Sequence, residues 1–277
     1  MSTTNESLLS IDTPYIVTEA QIEKFRRDGY IKLKEVFTQE ELERYRHEIT
    51  SMVKKLNIEN VPLEKRGVYG KAFLQVPNLW QHSELTREFV FGKRIARIAT
   101  ELLGTKGVRM YHDQALYKEA GGGYTPWHVD QVYWPLSNEN TVTAWIPLHA
   151  VPLENGPLSF AVGSQKIHFG RDLVISEESE KQIDEHLRLS DFPIDESAYD
   201  LGEVSFHYGF NFHRAGPNKL SYPREVMTVI FMDSEMKLAQ PRSKAQENDW
   251  ATWCPGTEVG EVIATPLNPI LYERGED

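Results

Sequence analysis

The 277-residue chain is 40% hydrophobic, enough to bury a sizeable core in one large domain or two small ones. Its formal net charge of -11 repels a phosphate backbone, which argues against a nucleic-acid partner. A single cysteine rules out an intrachain disulfide. No run approaches the ~18 apolar residues of a membrane span, and the polar, acidic start does not read as a secretory signal, so a cytoplasmic protein without membrane insertion is expected.

Residues 1 to about 17 read as a flexible lead-in. Thr18 and Gln21 then form a capping-box pattern, with Ile22 and Phe25 on the apolar side of a short helix that ends at Asp28-Gly29. Tyr30–Leu33 alternates like a strand. Thr38 and Glu41 repeat the capping pattern before a helix to about Leu56, whose Leu42, Tyr45, Ile49, Met52 and Val53 share one side. A further helix is predicted from Gly92 to Leu103, closed by Gly104.

The texture changes after Val108. Val108–Tyr117, Thr141–His149, Leu158–Ala161, Val204–Tyr208 and Val226–Met232 read as strands, divided by Gly121-Gly122-Gly123, Asn155-Gly156-Pro157 and Pro217-Asn218. This series predicts an antiparallel barrel or sandwich with flanking helices, mainly β. With no repeat and no linker, a single domain over 1-277 is expected, helices roughly 18-104 bracing a β core roughly 108-272. The charged stretch 171–200 is an insertion, either a lid or a surface excursion.

His128 and Asp130 stand at i and i+2, so in an extended segment both side chains point to one side while Val129 packs into the opposite layer. His213, after a turn, can close a triangle with them. Two imidazoles and a carboxylate suit iron(II) with three open positions, although a zinc hydrolase uses the same ligand types and a lone HxD pair arises readily by chance. Arg224 follows across another turn. Its planar fork matches the far carboxylate of a chelating diacid such as 2-oxoglutarate; the alternative is a rim arginine paired with Glu225 or Glu203.

These pieces occur in the order His128-Val129-Asp130, Thr143–Leu148, Glu154–Leu158, Val162-Gly163-Ser164, Gly202-Glu203-Val204, His213–Asn218 and Arg224. Phe25–Tyr30 precedes them and Asn268–Tyr272 follows. In that order the chain resembles the phytanoyl-CoA dioxygenase-like iron(II)- and 2-oxoglutarate-dependent oxygenases. The resemblance implies a double-stranded β-helix (jelly roll, cupin-like). It implies His128, Asp130 and His213 as iron ligands and Arg224 on the distal carboxylate of 2-oxoglutarate. Trp145 would line the cosubstrate side, with Lys118 and Gln114 as further contacts. His207 would stand beside the ligands, or exchange with His213 if the register is shifted. The cosubstrates would be 2-oxoglutarate and O2.

Retention of Asp130 favours hydroxylation over halogenation, with desaturation, epoxidation or rearrangement left open. Tyr111, Tyr124, Trp127, Tyr133, Trp134, Phe206 and Phe210 make an aromatic neighbourhood, partly core and partly substrate pocket. Val129 and Ala215, where many relatives are polar, point away from a CoA thioester and toward an amphiphilic metabolite, as in natural-product biosynthesis. Trp250, Trp253 and Pro255 either close the barrel mouth or form a subunit contact. The competing readings are a jelly-roll metalloenzyme that does not use 2-oxoglutarate and a non-catalytic small-molecule binder.

Overall fold

The computed structural model describes residues 10–275. The expected lead-in therefore falls partly outside the described residues. Helix α1 (Glu19–Asp28) begins with the expected capping box on Thr18 and ends on Gly29 in the left-handed region, and α2 (Gln39–Leu56) begins with a second box on Thr38. Helix α5 (Lys93–Leu103) follows the short α3 (Val68–Ala72) and α4 (Glu84–Val90), which no local pattern predicts.

Strands β1 (Tyr30–Leu33), β2 (Leu74–Pro77), β3 (Gly107–Tyr117), β5 (Thr141–Pro147), β8 (Val204–Tyr208), β10 (Val226–Asp233) and β11 (Ile270–Glu273) make the larger antiparallel sheet, in the order β1-β8-β5-β10-β3-β11 with β2 on β3. A smaller sheet runs β4-β9-β6-β7, from β4 (Thr125–His128), β9 (His213–Ala215), β6 (Leu158–Ala161) and β7 (Ile194–Glu196). The two sheets form a double-stranded β-helix with flanking helices, as expected.

Alternation decides which side of the larger sheet each residue serves. Val142, Ala144 and Ile146 of β5, Val204 and Phe206 of β8, and Met227, Val229 and Phe231 of β10 join one apolar cluster with Phe25, Leu42, Tyr45, Ile95 and Ile98 of the helices. Their neighbours Thr143, Trp145, His207 and Thr228 face a cavity between the sheets. The strands are thus apolar on one side and chemically equipped on the other.

The stretch 171–200 does not sit over the cavity mouth as a whole. Its helix α6 (Glu177–Leu189) lies against β4, burying Ile183 and Leu187 with Trp127, Val129 and Phe212 on the outer face of the smaller sheet. Ile175, ahead of the helix, does reach the cavity, and its N–H donates to the Tyr133 hydroxyl at 3.0 Å. Among the described residues, no helix is long and apolar enough to cross a membrane.

Candidate metal centre and cosubstrate cleft

His128 is the last residue of β4 and His213 the first of β9, and the two are direct cross-strand partners. Their rings lie 4.1 Å apart between centroids. Asp130 falls just past the strand end, at the start of a 3-10 turn, and Val129 remains extended with φ -120°. The i, i+2 geometry therefore survives the end of the strand. Asp130 Oδ1 stands 3.7 Å from His128 Nε2 and 3.5 Å from His213 Nε2. All three ligand atoms lie within 4.8 Å of one another, somewhat wider than the roughly 3 Å edges of a ligated ion at ~2.1 Å bonds but a grouping that could hold one metal.

The groups behind the ligands fix their orientation. Nδ1 of His128 bonds the Pro126 carbonyl at 2.7 Å, and Nδ1 of His213 bonds the Asn211 carbonyl at 3.0 Å. Each Nδ1 must therefore carry the proton, which leaves the Nε2 lone pairs aimed at the shared space. The other carboxylate oxygen, Asp130 Oδ2, accepts from Thr143 Oγ1 at 3.0 Å and from His207 Nε2 at 3.2 Å. His207 is thus a donor behind the carboxylate; the register places His213, not His207, opposite His128.

Electrostatics suit a metal. Burial, and then its neighbour His213, push His128 down to about 4; burial likewise pushes His213 down to about 4. Both imidazoles are neutral at pH 7. Burial lifts the Asp130 carboxyl, but His213, His207 and His128 outweigh it and hold it far below the usual range. Two neutral nitrogen donors and one anionic oxygen on one side of an open space fit iron(II).

A cavity of 360 Å³ opens from this centre, and Arg224 and Trp145 are among the residues that line it. Arg224 is 1% exposed. The salt bridges expected of a rim arginine go elsewhere: Glu225 pairs with Arg46, and Glu203 with Lys32. Arg224 gives one N–H to the Gly156 carbonyl, while its Nε has no partner among the described residues. The Trp145 ring lies under the guanidinium, its centroid 5.2 Å from the guanidinium carbon, and its indole N–H is likewise without a partner among the described residues. A buried cation with free donors is costly unless an anion completes it. This corner fits a carboxylate.

Gly156 enables that arrangement. It sits at φ +71°, and a Cβ there would fall 2.2 Å from the Gly216 carbonyl oxygen, so only glycine lets the two loops meet behind Arg224. Lys118 pairs with Arg224 through reciprocal backbone hydrogen bonds at 3.0 and 2.8 Å. Its ammonium turns to the Gly123 carbonyl and to Thr125 Oγ1 and is not on the cavity wall. Burial and the charge of Arg224 push it down to about 6. Gln114 does line the cavity and accepts from Gln75 Nε2.

Of the expected pocket residues, Tyr133 and Trp134 face the cavity. Trp127 and Val129 do not: alternation sends them to the outer face, where Trp127 donates to Asp184 and lies beneath Arg214. Phe210 lies in the turn before β9, under the Arg171 guanidinium at 4.3 Å. Tyr111 packs behind Trp134, their ring centroids 5.4 Å apart. The cavity instead recruits Tyr69, Phe73 and Gln75 from around α3 and β2, His112 from β3, and Asp249 and Trp253 from α7 (Lys244–Trp253). His112 was readable, because it shares a strand face with Gln114. Asp249 and Trp253 stand at i and i+4, a helical pairing without meaning until α7 is placed.

A family model described as phytanoyl-CoA dioxygenase (PhyH) matches residues 25–226. A probable alpha-ketoglutarate-dependent hypophosphite dioxygenase of Stutzerimonas stutzeri is 23% identical over 217 residues, 73% of each chain. Among solved structures, the non-heme alpha-ketoglutarate-dependent carbocyclase SnoK from nogalamycin biosynthesis superposes with TM-score 0.76 at 21% identity, covering 94% of this chain and 98% of its own. EctD from S. alaskensis with bound Fe gives 0.68 at 19%, covering 93% and 92%. The chain belongs to the phytanoyl-CoA dioxygenase family and is an iron(II)- and 2-oxoglutarate-dependent oxygenase acting on a small molecule.

Proposed function

We propose that this enzyme oxidises an unactivated carbon of an amphiphilic metabolite, by hydroxylation in the first instance, within natural-product biosynthesis. His128, Asp130 and His213 are the iron ligands in this reading. Arg224 grips the distal carboxylate of 2-oxoglutarate, with Trp145 donating beside it and Gln114 on the adjoining wall. The observation that carries the assignment is the buried Arg224 on the cavity wall, with no carboxylate partner and an unpaired Nε among the described residues.

Iron(II), 2-oxoglutarate and O2 supply the oxidising chemistry when bound, the diacid leaving as succinate and carbon dioxide. The protein's own work is positional. His207 and Thr143 hold the Asp130 carboxylate so that one oxygen remains for the metal. Pro126 and Asn211 lock the imidazole tautomers. Tyr133, Trp134 and Trp253 wall the substrate side with aromatic rings that limit water. Retention of a carboxylate at Asp130 supports hydroxylation over halogenation. The nogalamycin carbocyclase supports a biosynthetic setting by its likeness in fold.

One apolar cluster shared by the helices and the larger sheet supports a single domain. The sole cysteine, Cys254, is buried and free, which supports a reducing compartment such as the cytoplasm. The decisive test is oxygen uptake coupled to succinate formation with the iron-loaded protein and candidate metabolites. Metal binding without any 2-oxoglutarate consumption would defeat this assignment.

A further inference from the structure

Among the described residues, three formal charges line the cavity: Asp130, Arg224 and Asp249. Under the proposed function the first faces iron and the second faces 2-oxoglutarate. Asp249 is left for the substrate. It projects from α7, where Tyr111 donates to its Oδ2 at 3.2 Å and Trp253 lies beside it. Both neighbours are neutral. The buried Cys254 thiol also feels the charge of Asp249, and the cavity wall around that carboxylate is largely aromatic. Trp253 stacks on His112 at 4.5 Å between centroids, and Tyr69, Phe73, Tyr133 and Trp134 continue the wall. Tyr69 and Tyr133, both raised first by burial, each feel the charge of Asp130 and of Asp249. Those two phenols therefore stand within reach of both the metal end and the α7 end.

We propose that Asp249 and the aromatic rings around it form the substrate-anchoring subsite of this cavity, and that it takes a protonated amine. A carboxylate framed by ring faces binds an ammonium through a charge-assisted hydrogen bond and cation–π attraction together. The substrate is then a metabolite with a largely apolar body and a basic nitrogen, the nitrogen on α7 and the carbon to be oxidised toward His128 and His213. Burial lifts the Asp249 carboxyl to about 7, and among the described residues no cation offsets that cost. An ammonium would supply one.

This inference rests on the proposed function, because iron and 2-oxoglutarate must occupy the other two charges. Equilibrium dialysis of iron(II) and 2-oxoglutarate with the wild-type protein checks that premise by itself. The anchoring subsite is then tested anaerobically on the loaded protein, by calorimetry with 2-(2-naphthyl)ethylammonium and its neutral isostere 2-(2-naphthyl)ethanol. The ammonium should bind roughly tenfold or more tightly than the alcohol. Asp249→Asn should erase that preference, and Tyr111→Phe, which leaves the carboxylate in place, should keep it. Equal or tighter binding of the alcohol to the wild type, no measurable binding of the ammonium, or an unchanged preference in Asp249→Asn would overturn the assignment.

Discussion

Arg224→Met is the most informative single change, because two accounts of this arginine predict opposite results. The guanidinium is buried, donates to the Gly156 carbonyl and leaves Nε without a partner among the described residues. Burial pushes it down to about 9, which marks a cation the surrounding protein does not compensate. If a bound diacid completes the pair, losing the arginine costs about 2–5 kcal/mol of binding, or roughly 30- to 4000-fold in 2-oxoglutarate affinity. The unliganded fold should hardly suffer. Replacing an uncompensated buried charge with an apolar side chain of similar size is neutral or stabilising by ~1–4 kcal/mol, set against about 1 kcal/mol for the lost bond to Gly156. If Arg224 were instead a structural strut, the fold would weaken by about 3–5 kcal/mol and affinity would stay. Anaerobic calorimetry of 2-oxoglutarate into iron(II)-loaded protein, beside urea unfolding of metal-free protein, reads both quantities. Affinity within about threefold of wild type together with a lost Cm would refute the reasoning.

Two further outcomes follow from groups behind the site. His207→Leu removes one donor to Asp130 Oδ2 while sparing all three ligands, so iron(II) affinity should fall roughly ten- to a hundredfold in equilibrium dialysis. Asp113 is buried and accepts from the backbone of Leu79 and Trp80, tying β3 to the turn after β2. Burial raises it from 3.8 to about 7. A carboxyl raised on folding contributes stability below its unfolded value and loses it as pH climbs through the folded one. Asp113→Asn does not titrate, so its stability relative to wild type should rise by on the order of 4 kcal/mol between about pH 4 and 8. A flat difference across urea melts in that range would show that Asp113 is already charged in the fold.

Much of the architecture was legible because it rests on local rules. The caps of α1 and α2 and the close of α5 were written in Thr18, Thr38 and Gly104, and the longer strands in their run of apolar residues between turns. The short β7 was not, since three residues carry no periodicity and pair only once partners exist, whereas β9 was legible as the point where His213 re-enters after a turn. The pairing of His128 with Asp130 was readable from a spacing of two. The opposition of His128 to His213 depends on two strands meeting across a long loop, which no local rule states.

Alternation also sorts residues that composition cannot. Trp127 and Val129 flank a ligand in sequence yet face away from it, whereas Asp249 and Trp253, remote in sequence, line the cavity. By itself the order of residues determined the ligand types, the chelating geometry of the HxD pair and the presence of a planar cation downstream. Only the tertiary structure decided that Arg224 has no carboxylate partner among the described residues and that α7 brings the Asp249 carboxylate to the cavity wall. Both facts concern what surrounds a charge once water is removed, and that depends on every segment packed against it.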